Sequence, residues 1–163
     1  MKYKFTVFLM FFILFVSSYS EKYMEIFKGR VISVADGDTL TVKAKEKKIR
    51  VRLFGVDSPE KKQEHGKEAR NFTVLMLYNK VVEVKVVSID QYGRVVGDIF
   101  LEDGRSFNHE IVKNGYAWWY SYFAPNNKEL KELEYVARSK KIGLWKSNNP
   151  EAPWKYRKRN KFE

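Results

Sequence analysis

Three stretches hold the residues best suited to chemistry. Val51 to Glu60 reads VRLFGVDSPE and carries Arg52, Asp57, Ser58 and Glu60. Asp36-Gly37-Asp38-Thr39 precedes it, and Asp90-Gln91-Tyr92-Gly93-Arg94 follows. Asp38, Asp57 and a nearby backbone carbonyl make a hard-oxygen set, which suits Ca²⁺ or Mg²⁺ and is wrong for zinc. The chain has no Cys and two His, His65 and His109, so zinc lacks its preferred ligands. Neither histidine has a partner at catalytic spacing, and neither takes a role. Arg52 and Arg94 offer planar guanidinium forks that match phosphate oxygens in pairs and stabilise charge growing on them. Glu60 is a candidate base for activating water. If the three stretches meet in space, they form a metal-dependent site for phosphodiesters.

Each piece also has a plainer reading. DGD and DSP are turn or cap sequences. A strand arginine is often a surface residue, Arg94 sits where a hairpin would end, and a glutamate beside Lys61 and Lys62 is often simply solvated. Only their company gives them weight.

The elements that must position them follow from periodicity. Gly29 to Ala35 and Thr39 to Val42 suit strands, with the Asp36–Asp38 turn between them. Lys43 to Lys48 is a charged hairpin tip. Ile49, Val51 and Leu53 then alternate with Lys48, Arg52 and Phe54, so Arg52 points away from the apolar face of Val51 and Leu53. Lys61 to Lys67 is a charged loop. A helix is expected from Glu68, with Ala69, Phe72, Leu75 and Met76 at helical spacing. Val81 to Ile89 is a β-branched strand with Val82, Val84 and Val86 on one face. Tyr92-Gly93 turns it into a return strand, Val95 to Leu101. A short helix from about Asn108 to Lys113 stops at Asn114-Gly115. Asn126 with Glu129 starts a third helix, striped by Leu130, Leu133 and Ala137 and ending near Lys140, Lys141 and Gly143. Strands first, with single helices between and after them, suggest a small closed sheet with helices at one side. There is no internal repeat and no linker dividing two domains.

The net charge of +11 over 163 residues favours an anionic partner: nucleic acid, anionic membrane or an acidic polymer. Charge alone does not choose among them. At the N-terminus, Lys2 and Lys4 precede an uncharged apolar run, Phe5 to Val16, and then Ser17-Ser18-Tyr19-Ser20. This is the pattern of a secretory signal, with removal expected after Ser20. Twelve apolar residues span about 18 Å as a helix, short of the roughly 30 Å of a bilayer core. The domain plan is therefore a signal at 1–20 and one domain over 21–163, with its core at about 28–145. Losing Lys2 and Lys4 lowers the charge from +11 to +9, and the mature chain, starting at Glu21, is expected in a secreted or periplasmic location. Without cysteine it must rest on its core alone.

Tyr116 to Phe123, YAWWYSYF, is dense in aromatics that could stack bases or build core. Trp118 or Trp119 is assigned to packing. The stretch 146–163, ending in a basic WKYRKRNK run, is read as a solvated tail that could add nonspecific phosphate contact.

Taken together, five ordered pieces resemble the thermonuclease (staphylococcal nuclease-like) family over roughly Lys28 to Trp145. They are DGDT, VRLFGVDSPE, HGKEA at His65 to Ala69, DQYGR, and the run from Asn114-Gly115 through Pro125 to Gly143-Leu144-Trp145. The resemblance implies an α+β, mainly β, fold: a five-stranded OB-like Greek-key barrel with three helices. It implies Ca²⁺-dependent hydrolysis of DNA and RNA by a monomer, with attack at phosphorus and the 5′ oxygen leaving to give 3′-phosphate ends. The family's metal-binding carboxylates match Asp38 and Asp57, and its carbonyl ligand matches Ser58. Its general base matches Glu60, its phosphate-binding arginines match Arg52 and Arg94, and its nucleotide-side tyrosine matches Tyr92.

There are departures from the family pattern. The best-known member has threonine at Ser58, a change a backbone ligand tolerates. The loop from Glu60 to Glu68 is several residues shorter, which bears on substrate preference. Gln91 stands where a lysine is expected. A second nucleotide-side tyrosine falls at Ser121, with Tyr120 and Tyr122 as its replacements. Two rival functions share parts of the pattern. A noncatalytic OB-type nucleic-acid-binding module would share barrel and charge, but would not need Glu60, both arginines and both aspartates together. A membrane-attached basic protein would keep its N-terminal anchor and lay its basic tail on anionic lipid. The nuclease expectation instead has no stable membrane association once the signal is removed.

Overall fold

The computed structural model describes residues 25–160. The expected signal segment, Met1 to Ser20, lies outside them. Among the described residues, no helix is long and apolar enough to cross a membrane.

Five strands close a barrel: β1 (Ile26–Val34), β2 (Thr39–Ala44), β3 (Lys47–Leu53), β5 (Val81–Ile89) and β6 (Val95–Phe100). Their order around it is β1-β2-β3-β6-β5, with β5 returning to β1. All pairs are antiparallel except β3 with β6, which is parallel. Alternation does what the sequence implied. Val51 and Leu53 are buried in the barrel core with Val31, Leu40, Val42, Val82, Val84 and Ile99, while Arg52 faces the other way. Closing the sheet leaves no unpaired edge in the barrel.

Beyond the barrel, β4 (Val56–Asp57) pairs antiparallel with β7 (Trp118–Trp119), Asp57 opposite Trp118. The helices are α1 (Gly66–Leu77), α2 (Phe107–Lys113), α3 (Lys128–Ser139) and α4 (Pro153–Arg159). A 3₁₀ turn spans Gly143–Lys146.

Several expectations need correction. The first helix buries Ala69, Thr73 and Leu77, spaced by four, while Leu75 is 76% exposed. Thr73, though polar, is buried because its hydroxyl donates to the Gly37 carbonyl at 2.6 Å. The cap of α3 is Asn127, whose side chain accepts from the Leu130 N–H, one residue later than expected. Among the described residues there are four α-helices, where three are expected. The fourth lies in the stretch read as a solvated tail, where Ala152 and Pro153 are buried. An apolar face formed by Trp118, Trp145 and Trp154 holds it to the body. A basic composition masked a helix whose aromatic anchor is a single residue.

The α2 end signal also has a tertiary reason. Gly115 and Gly143 both have positive φ, +68° and +59°. The Leu144 N–H donates to the Gly115 carbonyl at 2.8 Å. A Cβ on Gly115 would overlap the Ile142 carbonyl, and one on Gly143 would overlap the Gly115 carbonyl. Gly143→Ala therefore meets both backbone strain and a backbone clash, and should cost about 2–3 kcal/mol. Urea unfolding of the variant checks this; an unchanged midpoint would refute it.

Candidate active site

The site forms where β2 begins and β3 ends. Thr39 pairs with Arg52 in the β2–β3 register, and the Leu53 N–H donates to the Asp38 carbonyl at 2.9 Å. That register sets Asp38 beside Arg52. The chain then passes Gly55, re-enters as β4, and delivers Asp57 and Ser58 alongside.

Asp38 and Asp57 are 1% and 0% exposed. Arg52 joins them: Nη1 donates to Asp38 Oδ1 and Nη2 to Asp57 Oδ1, both at 2.6 Å. The other oxygen of Asp38 accepts from the Ser58 N–H at 2.7 Å. The two buried anions are thus held by the Arg52 fork, the Ser58 N–H and the Thr39 hydroxyl, with Arg157 as a second guanidinium on Asp57, the pairing a buried charge requires. Gly37 makes the approach possible, because a Cβ there would come within 2.6 Å of Ser58 Oγ. The glycine of DGD is needed for this close contact, which a turn signal alone did not reveal.

Electrostatics follow from burial. Burial pushes the Asp57 carboxyl up and the nearby Asp38 charge adds to this, while Arg157 and Arg52 pull it back. Burial alone would lower Arg52, but Asp38 and Asp57 outweigh it and raise the guanidinium further. Arg52 is a permanent cation here. Asp36 is pushed up to about 7 by burial and then by Asp38.

Arg94 arrives from the β5–β6 hairpin. Asp90 organises that turn: Oδ1 accepts from the N–H groups of Tyr92 and Arg94, and Oδ2 accepts from Arg94 Nε at 2.7 Å. This pair uses Nε and leaves the two Nη groups for a ligand. The Arg94 guanidinium carbon lies 5.4 Å from the centre of the Tyr92 ring, which is 73% exposed.

One open cleft of about 660 Å³ brings these groups together; Arg52, Glu60, Tyr92, Arg94, Tyr120 and Arg157 are on its wall. Tyr122 is 79% exposed, its ring 6.2 Å from that of Tyr120, and it does not line this cleft; Phe123 does. Trp118 is core, as expected, 3% exposed with its ring 5.0 Å from Trp145. The histidines take part elsewhere: His65 Nε2 is 2.9 Å from Ser147 Oγ, and His109 Nδ1 is 3.2 Å from Glu129.

Two groups escaped the sequence. Gln63 accepts from the Glu60 N–H at 3.0 Å and donates to the Glu151 carbonyl at 2.6 Å, tying the Glu60 loop to the C-terminal segment. Arg157 on α4 donates to Glu60 Oε1 at 2.7 Å and to both oxygens of Asp57 at 3.1 and 2.8 Å. Trp154, three residues before it, was the available signal: a large aromatic in a basic tail implies docking.

A hard cation would rest on the carboxylates of Asp38 and Asp57 and the carbonyl of Ser58. Among the described residues, no three acidic, histidine or cysteine side chains converge on a metal position. Two carboxylates completed by neutral oxygens suit Ca²⁺ or Mg²⁺ and exclude a zinc cage. The donor set fits: its oxygens already gather two guanidiniums, and Ser58 Oγ is a buried polar atom with no hydrogen-bond partner.

A closed barrel whose cleft pairs buried carboxylates with arginine forks is equipped to hydrolyse an anionic ester. Residues 50–147 match the family described as Staphylococcal nuclease homologue. An uncharacterized endonuclease of Escherichia coli is 37% identical over 131 residues, covering 80% of this chain and 85% of that protein. Micrococcal nuclease of Shigella flexneri is 34% identical over 144 residues, 83% of each. Staphylococcal-like nuclease CAN1 of Arabidopsis thaliana is 42% identical over 129 residues, 79% of this chain and 38% of that longer protein. The chain belongs to the staphylococcal nuclease family. It is a nuclease, and its substrate is nucleic acid.

Proposed function

We propose that the protein is a calcium-dependent nuclease, secreted or periplasmic after cleavage near Ser20, that hydrolyses phosphodiesters of DNA and RNA. The 5′ oxygen leaves and a 3′-phosphate remains. The observation that supports this most is the shared cleft: Glu60, Arg52 and Arg94 line one wall system, with Asp38 and Asp57 buried behind Arg52.

Glu60, partly exposed in the cleft, takes a proton from the attacking water. Arg94 offers its two Nη groups to the phosphoryl oxygens. Arg52 adds fixed positive charge on the same side, so both arginines favour the more highly charged transition state over the ground state. Tyr92 presents an exposed ring face beside Arg94, where a base or sugar can pack. Asp38, Asp57 and the Ser58 carbonyl would hold Ca²⁺, which when bound supplies Lewis-acid stabilisation of the phosphoryl charge.

Plasmid degradation by purified 21–163, with Ca²⁺ or with a chelator, tests the metal requirement. Digestion should need Ca²⁺ and stop on chelation. Equal digestion in both conditions would sink the proposal.

A further inference from the structure

We propose that Arg157 is a third phosphate-binding arginine of the nuclease site, delivered by the C-terminal helix. This rests on the nuclease reading above and deepens it.

Helix α4 lies beyond residues 50–147, the stretch matched to the family. It is nevertheless built into the cleft. The Trp154 ring stacks on Tyr120 at 5.3 Å and 5°, and meets Trp118 edge-on at 6.5 Å. Gln63 ties Glu151, two residues before the helix, to the backbone of Glu60. These anchors leave Arg157 on the wall shared with Arg52, Arg94 and Tyr92.

The two guanidiniums on Asp57 are not equivalent. Arg52 has 19% of its side chain exposed and spans both buried aspartates. Arg157 has 36% exposed and approaches from the cleft. Among the described residues it alone holds Asp57 Oδ2. A divalent cation on Asp57 needs an oxygen from this carboxylate, and Arg157 is the partner that can yield it without breaking the Arg52 bridge. The bond from Nη1 to Glu60 can persist meanwhile. Three hydrogen bonds to carboxylates leave Nε–H and one Nη2 hydrogen of the five donors for an anion. Once its share of Asp57 passes to the cation, the fork is within the cleft, charged, and fitted to phosphate oxygens. The neighbouring Lys155 and Lys158, both exposed, extend the positive surface along the same helix.

The test is salt dependence of binding. The probe is a short single strand in which methylene replaces every 5′ bridging oxygen, so that it keeps its charges and resists cleavage. Affinity is measured in Ca²⁺ over a range of salt for wild type, Arg157→Ala, Arg157→Gln and Arg157→Lys. Loss of one phosphate contact lowers the slope of log affinity against log salt by about one. Ala and Gln should each show that loss, with several-fold weaker binding at low salt. Lys should keep the slope. Gln retains a hydrogen-bonding side chain for Asp57 and Glu60, so the comparison survives if Ala fails to fold. An unchanged slope in the neutral variants would overturn the proposal. So would tighter binding, the mark of an arginine that only blocks the carboxylates. A wild type that does not cleave ordinary DNA would count against the nuclease reading and leave this binding result standing.

Discussion

Arg52→Ala should be the most damaging single change in the site, lowering both stability and rate. The side chain is the bridge between two aspartates that are almost wholly buried. Without it Asp38 keeps the Ser58 N–H and Asp57 keeps Arg157, but both lose a charged donor at 2.6 Å. Stranding buried charge typically costs about 3–5 kcal/mol. For a chain of this size that corresponds to a fall in melting temperature of roughly 6–20 °C. The sign of the pH dependence follows. The deficit exists because Asp57 is ionised, and burial raises its pKa in the fold, so the deficit is full only above that raised value and shrinks as acid protonates the carboxyl. Melting at pH 8 and pH 4 should therefore show a larger gap between variant and wild type at pH 8. At temperatures where the variant is folded, its kcat should still fall on the order of a hundredfold or more. Arg52→Lys should recover part of the stability and little of the rate, because one ammonium cannot copy a fork that reaches two carboxylates. An Arg52→Ala protein with wild-type melting at pH 8 would show that the bridge is not structural.

The same residue shows how much of the site was legible in sequence. Strand alternation separated Arg52 from Val51 and Leu53, and the barrel places it accordingly. The closed five-stranded barrel was likewise readable from hydrophobic periodicity and the family resemblance. Hidden from both were contacts between distant segments. Nothing local marks Gly37 as the residue that lets Ser58 approach, since that clash is with a loop about twenty residues away. Nothing in the periodicity of α1 marks Thr73, which is buried because the Gly37 carbonyl accepts its hydroxyl. Arg157 was hidden for a different reason. Charge density around it suggested solvent, and a composition average cannot show that one tryptophan on the same helix pins it against Tyr120. Tyr120 and Tyr122 looked interchangeable in sequence. The chain path sets Tyr120 on the cleft wall and leaves Tyr122 off it, with Phe123 lining the cleft as well.

Glu60→Gln should separate chemistry from structure, which Arg52 cannot. Glu60 has 36% of its side chain exposed, so its charge is not stranded by burial as that of Asp57 is. Glutamine keeps the length of the side chain and an acceptor for Arg157 Nη1. The backbone is unaffected too, since the N–H of residue 60 still donates to Gln63 Oε1. Melting should therefore stay close to wild type, and KM should change little, because no phosphate contact is removed. What disappears is the basic oxygen that accepts the proton of the attacking water. A general base typically contributes about 10²–10⁴ in rate, so kcat should drop by that factor. Glu60→Asp should lie between, since the carboxylate survives but is withdrawn by one methylene from its partner and from the water. The carboxamide and shortened-acid variants thus rank by chemistry at constant fold. Wild-type kcat in Glu60→Gln would remove Glu60 from the reaction and pass the base role to another oxygen of the cleft, with Asp36, pushed up to about 7 by burial, a lining group suited to hold a proton.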